Sequence, residues 1–298
     1  LERAYANLFA GRTAPPRYRK KFLADSFRYP QGFKLDGRQV YLPMIGWVEF
    51  WESRPIEGTI KNVTVSRQGQ HWYIACQVEV DLPAPVHPAS AAVGIDLGIA
   101  LFAAFSDGAV HPPLNAYRRV EKKKACLQRK LAGMVQYSQN WKKHQQRIAQ
   151  LEIRIANCRR HFLHQLSTET SKNHAVIVLE DLQVRNLSRS ARGTMAEPGR
   201  KVAQKAGLNK AILDQGWGTF RHMLEYKQAR RGGEVIAVNP RYTSQTCPAC
   251  GHVSQANRPH QALFSCEQCG YSYHADVVAA INILAVGHTE RLNACSPH

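Results

Sequence analysis

Two sets of side chains in this chain have types and spacings suited to holding cations. The first is compact: Cys247-Pro248-Ala249-Cys250 and Cys266-Glu267-Gln268-Cys269 are two CxxC pairs fifteen residues apart, each followed by a glycine, Gly251 and Gly270. Each pair can chelate one ion from a tight turn, and four thiolates make a closed tetrahedral zinc site. No position is left for water, so the expected Zn2+ is structural, and a redox role is a poor fit to paired knuckles. The second set is dispersed. Asp96 sits in Val93-Gly94-Ile95-Asp96-Leu97-Gly98, Glu180 ends Val176-Ile177-Val178-Leu179-Glu180, and Asp276 follows His274-Ala275 at the start of an apolar stretch. Gathered at one end of a sheet, three such charges repel by roughly 3 kcal/mol per pair at ~5 Å and an effective dielectric of ~20. A cluster of that kind needs divalent cations.

Each carboxylate also has a plainer reading. Asp276 suits a helix N-cap, and Glu180 suits a strand end in solvent. Around Asp96, Val93, Ile95 and Leu97 mark a half-buried strand, and the flanking glycines leave room for a ligand or for another backbone. The elements that must position these residues follow from periodicity. After Asp96, positions 99–105 run to an Asp107-Gly108 hairpin signal, and Val110 starts a third strand. From Trp141 to about Thr170, Ile148, Leu151, Ile155, Cys158, Phe162 and Leu166 form one helical stripe. Its antiparallel partner carries Val120, Leu127 and Leu131, across a break at 138–140. One helix is expected over 209–231, with Leu213, Trp217, Phe220 and Leu224 on a face and Gly232-Gly233 as its stop, before a strand at 234–239.

The N-terminal third reads differently. A helix end over 1–9 is followed by Arg17-Tyr18-Arg19-Lys20-Lys21-Phe22, where aromatics interleave with cations as phosphate contacts and base stacking require. Period-two patterns at 39–42, 47–51, 59–66 and 71–81 then predict short antiparallel strands of a small barrel or sandwich. Pro83, Pro85 and Pro88 mark a linker. Residues 185–206 are basic and poor in apolar side chains, which fits either a lid over a substrate strand or a segment without function.

Composition narrows the partners. Forty Lys and Arg against 22 Asp and Glu give a net charge of +18 over 298 residues, pointing to a polyanion, most plausibly nucleic acid. Lys122, Lys123, Lys124, Arg129, Lys130, Lys142, Lys143, Arg147, Arg154, Arg159 and Arg160 concentrate this charge on the long helical pair. The other cysteines scatter: Cys76 and Cys158 are expected on apolar faces, Cys126 in a basic helix and Cys295 in the tail. That distribution favours a metal site in a reducing compartment. No apolar run spans a membrane and no signal-peptide pattern opens the chain, so a cytoplasmic, nucleoid-associated protein is expected. The chain begins at Leu1 rather than Met, and an N-terminal part is expected to be missing.

Gly94-Ile95-Asp96-Leu97-Gly98, Leu179-Glu180-Asp181-Leu182, Asp214-Gln215-Gly216-Trp217, Thr243-Ser244-Gln245-Thr246-Cys247, the four cysteines and Ala275-Asp276 with Asn282-Ile283-Leu284 occur in one order. In that order the chain resembles the TnpB (OrfB) proteins of IS200/IS605-type transposons, relatives of the type V CRISPR effectors. The resemblance implies an α/β chain: an RNase-H-like (RuvC) nuclease domain over 93–240 and 274–287, interrupted by a zinc ribbon at 241–273. A small wedge β-barrel at 17–88 would precede it, with 1–16 as the end of a helical recognition region. It further implies an RNA-guided DNA endonuclease with guide RNA and target DNA as partners. Asp96 would bridge two Mg2+ or Mn2+ ions, with Glu180 and Asp276 as outer ligands. Val278 and His274 depart from the family pattern and bear on support of that metal site. A binding protein that has lost cleavage, an accessory or repressor, is the competing expectation, and a strand-joining transposase a third.

Overall fold

The computed structural model describes residues 2–11, 14–16, 25–81, 83–194 and 197–295. The basic stretch at 17–22 therefore lies outside the described residues. The chain divides into two compact units, Leu1–Pro83 and Ala84–His298.

In the first unit, helix α1 (Glu2–Phe9) precedes six strands: β1 (Ser26–Tyr29), β2 (Lys34–Asp36), β3 (Gln39–Leu42), β4 (Gly46–Glu49), β5 (Thr59–Gln68) and β6 (His71–Glu79). They form two antiparallel three-stranded sheets, ordered β2-β3-β4 and β1-β5-β6. Val40 and Leu42 from one sheet and Val63 and Val65 from the other share a core. Period two arises because alternate side chains of each strand face that core. The short strands β1 and β2 escaped the sequence reading, since three or four residues give too few repeats to show a period.

The second unit is built on a five-stranded sheet ordered β11-β10-β7-β8-β9. Its strands are β7 (Ala92–Asp96), β8 (Ala103–Phe105), β9 (Val110–His111), β10 (Val176–Glu180) and β11 (Glu234–Val238). β7 pairs in parallel with β10, which pairs in parallel with β11, while β8 and β9 add antiparallel from the Asp107-Gly108 turn. Between the strands run α2 (Glu121–Ala132), α3 (Gln139–Asn173), α4 (Val184–Leu187), α5 (Val202–Gln215) and α6 (Trp217–Arg231). One sheet face, with Val93, Ile95, Ile177 and Leu179, packs on Leu163 and Leu166 of α3, Ile212 of α5, and Trp217, Phe220 and Leu224 of α6. Val176, Val178 and Val238 on the other face pack on Ile283 of the last helix, α7 (Ala275–Cys295). Before α7, the hairpin of β12 (Leu263–Ser265) and β13 (Ser272–His274) carries the second cysteine pair at its turn.

Several expectations need correction. β7 is not half-buried: Val93, Gly94 and Ile95 are all buried, because helices cover both faces of a central strand. The space at Gly94 is taken by backbone, since an added Cβ would collide with the Ala280 carbonyl and Leu284 of α7. The single helix expected over 209–231 is two. Gly216 adopts a left-handed conformation (φ 76°) that caps α5 and opens α6, with its Cα side against Arg159 and Leu163. Leu213 is consequently exposed, and Ile212 is the buried residue. On α3, Leu163 replaces Phe162 in the centre of the stripe, and Cys158 is exposed rather than on the apolar face. The break before α3 falls at 133–138, with Ser138 capping through its hydroxyl, which accepts from the Trp141 amide at 3.2 Å. Of residues 185–206, the described part includes α4 and the start of α5, tied by Lys205 Nζ donating to the Leu187 carbonyl at 2.7 Å. Among the described residues no helix is long and apolar enough to cross a membrane.

Candidate metal centres

The sheet places the carboxylates by register. Asp96 is the last residue of β7 and Glu180 the last of the parallel neighbour β10, so both point from the same strand ends. Asp276 stands in the first turn of α7, which crosses β7 and β10 on the back of the sheet. Asp276 is thus inside the helix rather than its N-cap. Glu180 and Asp276 both come within electrostatic reach of Asp96. The Asp96 carboxyl is pushed up to about 7, first by burial and then by the charges of Glu180 and Asp276; Arg258 and the Leu97 amide pull the other way. Burial also raises Glu180, against the hydrogen bond it accepts at Oε1 from the Thr243 hydroxyl at 2.8 Å. Its neighbour Asp181 turns outward and is held low by Arg221. Glu180 is therefore not a solvent-facing strand end.

Three residues outside the sequence-based site complete it. Arg258 donates from Nη2 to Asp276 Oδ1 at 2.9 Å and to the Gln261 carbonyl at 2.8 Å, bringing one cation to a triply acidic cluster. Thr243 aligns Glu180. Asn282 of α7 is buried and donates to the Thr243 and Thr246 carbonyls at 2.8 and 2.7 Å, fixing the segment that carries Thr243. Asn282 and Thr243 lie within the motifs Asn282-Ile283-Leu284 and Thr243-Ser244-Gln245-Thr246-Cys247, but nothing in their spacing announces these contacts. A crevice of about 20 Å³ opens beside Glu180, between Leu97, Leu182, Trp217 and Arg221. A larger open trough of about 460 Å³ runs along α3 past His164, Thr168 and Lys172 and includes none of these carboxylates.

The thiols are organised otherwise. The sulfur atoms of Cys247, Cys250, Cys266 and Cys269 all lie within 4.8 Å of one another. Cys247 and Cys269 Sγ are 3.6 Å apart, as are Cys250 and Cys266. Bonds of ~2.3 Å to a tetrahedral ion imply sulfur–sulfur edges of about 3.8 Å, whereas a disulfide requires about 2.05 Å. Two like turns produce this. Gly251 and Gly270 both sit at φ 75°, and their amides return to the Cys247 and Cys266 carbonyls at 2.9 and 3.0 Å. At Cys266, burial opposes the thiolate, but the Cys269 and Gln268 amides aim at its sulfur and bring the thiol down to about 6. Buried Asn257 locks the ribbon: its amide donates to the Gln245 and His252 carbonyls, and its Oδ1 accepts from the Glu267 amide at 3.1 Å. Val278 is fully buried against Cys247, Phe264 and Cys266 and packs on the thiol cluster.

The donor sets fit different ions. Four soft sulfurs suit zinc, and carboxylate oxygens suit a hard divalent cation such as Mg2+. Among the described residues, the thiols alone reach the 4.8 Å closeness. Asp96, Glu180 and Asp276 do not meet that closeness as a set of three.

Comparison with known proteins adds relatives over nearly all of the chain. The family described as "Probable transposase" (OrfB_IS605) matches residues 74–191, and "Cas12f1-like, TNB domain" matches 217–283. InsQ of Escherichia coli (strain K12), which carries the name of an RNA-guided DNA endonuclease, is 51% identical over 290 residues, covering 97% of this chain and 72% of InsQ. A protein of Streptomyces pristinaespiralis with the same designation is 34% identical, over 96% of this chain and 69% of its own length. Among solved structures, a Cas12f1 in complex with sgRNA and target DNA shares the fold, with a TM-score of 0.50 at 16% identity. The match covers 75% of this chain and 45% of that one.

Proposed function

The chain belongs to the TnpB (OrfB) family, and from that premise we propose that it is an RNA-guided DNA endonuclease that hydrolyses phosphodiester bonds at Asp96, Glu180 and Asp276. The observation that carries the reading is the convergence of these carboxylates from three distant elements, with Asp96 pushed up to about 7 by burial and by the other two. A fold that stabilised itself alone would avoid that cost, which a divalent cation removes. The order of strands and helices, with α7 closing the back of the sheet, supports an RNase-H-like (RuvC) domain for the second unit. The six-stranded first unit, with its shared core, supports the wedge domain.

Asp96, which feels the charge of both other acids, would hold the divalent cation together with Glu180 and Asp276. Bound Mg2+ or Mn2+ would supply water activation on one side of the scissile phosphate and stabilise the leaving 3′ oxygen on the other. Burial raises the Glu180 carboxyl, and the Thr243 hydroxyl, donating to it, works the other way and favours the ionised form that can ligate. Arg258 pairs with Asp276, and its guanidinium would also suit a phosphate oxygen brought to the same site. Zn2+ at Cys247, Cys250, Cys266 and Cys269 would clamp the ribbon from which Arg258 projects. Guide RNA and target DNA are the partners, gripped through backbone contacts by the +18 surface.

The test is cleavage of a plasmid target by the chain together with RNA transcribed from its transposon end. Mg2+-dependent cutting that disappears in Asp96→Ala supports the reading. Intact DNA from a preparation that still binds RNA and target would favour the cleavage-deficient alternative.

A further inference from the structure

Eleven of the eighteen excess positive charges fall within residues 118–160, where thirteen Lys and Arg face two acids, Glu121 and Glu152. Both acids are already paired, with Lys210 at 2.9 Å and with Lys124 at 2.8 Å. These residues form the end of the turn before α2, α2 itself, the turn after it and the first part of α3. Lys143, Arg147 and Arg154 recur along α3 at intervals of four and seven, and Lys122 and Arg129, like Lys123 and Lys130, are seven apart on α2. All seven are exposed, so each helix carries a cationic stripe. A face serving only solubility mixes both signs; this one has a single sign.

The arm also has a shaped tip. Val135 is 80% exposed and Tyr137 69%. Tyr137 holds a left-handed backbone (φ 67°), an unfavourable conformation for a bulky side chain. Hydrogen bonds from the Met134 amide to the Leu131 carbonyl and from the Ser138 amide to the Val135 carbonyl fix the turn. The Tyr137 ring sits 5.4 Å from that of Trp141, at 55°. Lys142 and Lys143 follow at once. The turn presents the exposed Tyr137 ring outward, braced by the half-buried Trp141 ring and beside cations.

We infer that the α2–α3 tip is a stacking contact for an unpaired base of structured RNA, with the stripes behind it following the RNA backbone. The inference rests on the RNA-guided reading above and assigns the RNA a surface. Two features select RNA over target DNA. Trp141 lies about 33 Å along α3 from Leu163, where the helix joins the sheet core, at 1.5 Å rise per residue, so the tip is remote from the strand ends that hold the carboxylates. Duplex DNA also offers no free base face, whereas RNA loops, bulges and helix ends do.

The experiment uses the whole chain with two labelled probes, a short RNA hairpin with an unpaired loop and a fully paired DNA duplex. Tyr137→Ala combined with Val135→Ser is expected to weaken hairpin binding about tenfold or more, within the range of lost base stacking. Duplex binding should stay within about twofold, and Tyr137→Phe should restore the hairpin. Both altered side chains are exposed, and an unchanged melting temperature excludes misfolding. Equal losses on both probes, or wild-type hairpin affinity in the double variant, would overturn the inference while leaving RNA binding intact. A wild-type chain that does not prefer the hairpin would instead sink the RNA-guided reading, and this inference with it.

Discussion

The thiol cluster and the carboxylate cluster solve opposite problems. The four sulfurs come from two short turns of like geometry and sit within 4.8 Å of one another, so the ribbon reaches a closed site with little help from the rest of the chain. The three carboxylates come from a central strand, its neighbour and the last helix, separated by up to 180 positions, and need the whole sheet assembled before they meet. The first site holds a fold together. The second is held together by one, and its mutual repulsion is a standing cost. Local staples tolerate substitution elsewhere, while a cluster built from distant parts depends on supporting side chains such as Thr243, which donates to Glu180, and Asn282, which fixes the segment carrying Thr243.

The largest effects should separate the two sites by what they break. Cys247→Ser with Cys250→Ser, or chelation of the wild type, is expected to remove one zinc per chain and unfold the ribbon. Structural zinc sites in small modules contribute about 10–16 kcal/mol of apparent binding energy at neutral pH. Hydrogen exchange should show lost protection at β12 and β13, while β7 and β10 keep theirs. Full metal content or an intact ribbon in the variant would erase the distinction. Asp96→Ala should do the reverse: on the order of a thousandfold or more loss of cleavage, as for deletion of a group that acts directly on the transition state, with zinc content and nucleic-acid binding unchanged. Loss of folding instead would mean that Asp96 is structural.

The same contrast decides what the bare sequence could show. CxxC spacing is local and its chemistry specific, so Cys247, Cys250, Cys266 and Cys269 were legible from residue types alone. Single carboxylates are common, and Asp96, Glu180 and Asp276 emerged only from the order of elements and a family resemblance. Gly216 hid for a different reason. The apolar spacing runs across it from Leu213 to Trp217 as if through one helix, and only the left-handed backbone reveals the break. At Gly94 the residue type leaves two readings open, a ligand or another backbone, and the structure gives the second, with α7 passing closely at Ala280. Arg258, Thr243 and Asn282 carry no periodic signal, because their partners lie 18, 63 and 39 positions away.

A smaller effect should show the standing cost itself. Asp96 holds its proton to about pH 7 in the folded chain, against 3.8 for the free group. The native state therefore binds more protons than the unfolded state across that window, and stability falls as pH rises from about 4 to 7, then levels. At 1.36 kcal/mol per unit over about three units, the loss is roughly 4 kcal/mol. Urea titrations at pH 5 and pH 8 without added Mg2+ should show it, and Mg2+ at pH 8 should reverse it. Asp96→Asn should flatten the slope and melt higher at pH 8. An unchanged slope in that variant would place the cost elsewhere.

The finest effect lies one bond away from the cations. Thr243→Val deletes the hydroxyl that donates to Glu180 and leaves burial unopposed, so the Glu180 carboxyl should titrate higher still. Because a ligand must lose its proton before it binds, apparent Mg2+ affinity should fall about 10-fold, at the low end of effects from groups that orient metal ligands. The pH of half-maximal cleavage should move upward, and saturating Mg2+ at high pH should restore the rate. Thr243→Ser, which keeps the donor, should behave as wild type. Asn282→Ala should reproduce the Mg2+ defect with an added loss of stability, since it frees both the Thr243 and Thr246 carbonyls. A Thr243→Val chain with normal Mg2+ dependence and a normal pH profile would mean that Glu180 is aligned by the sheet alone. The carboxylate site would then be as self-sufficient as the thiol site.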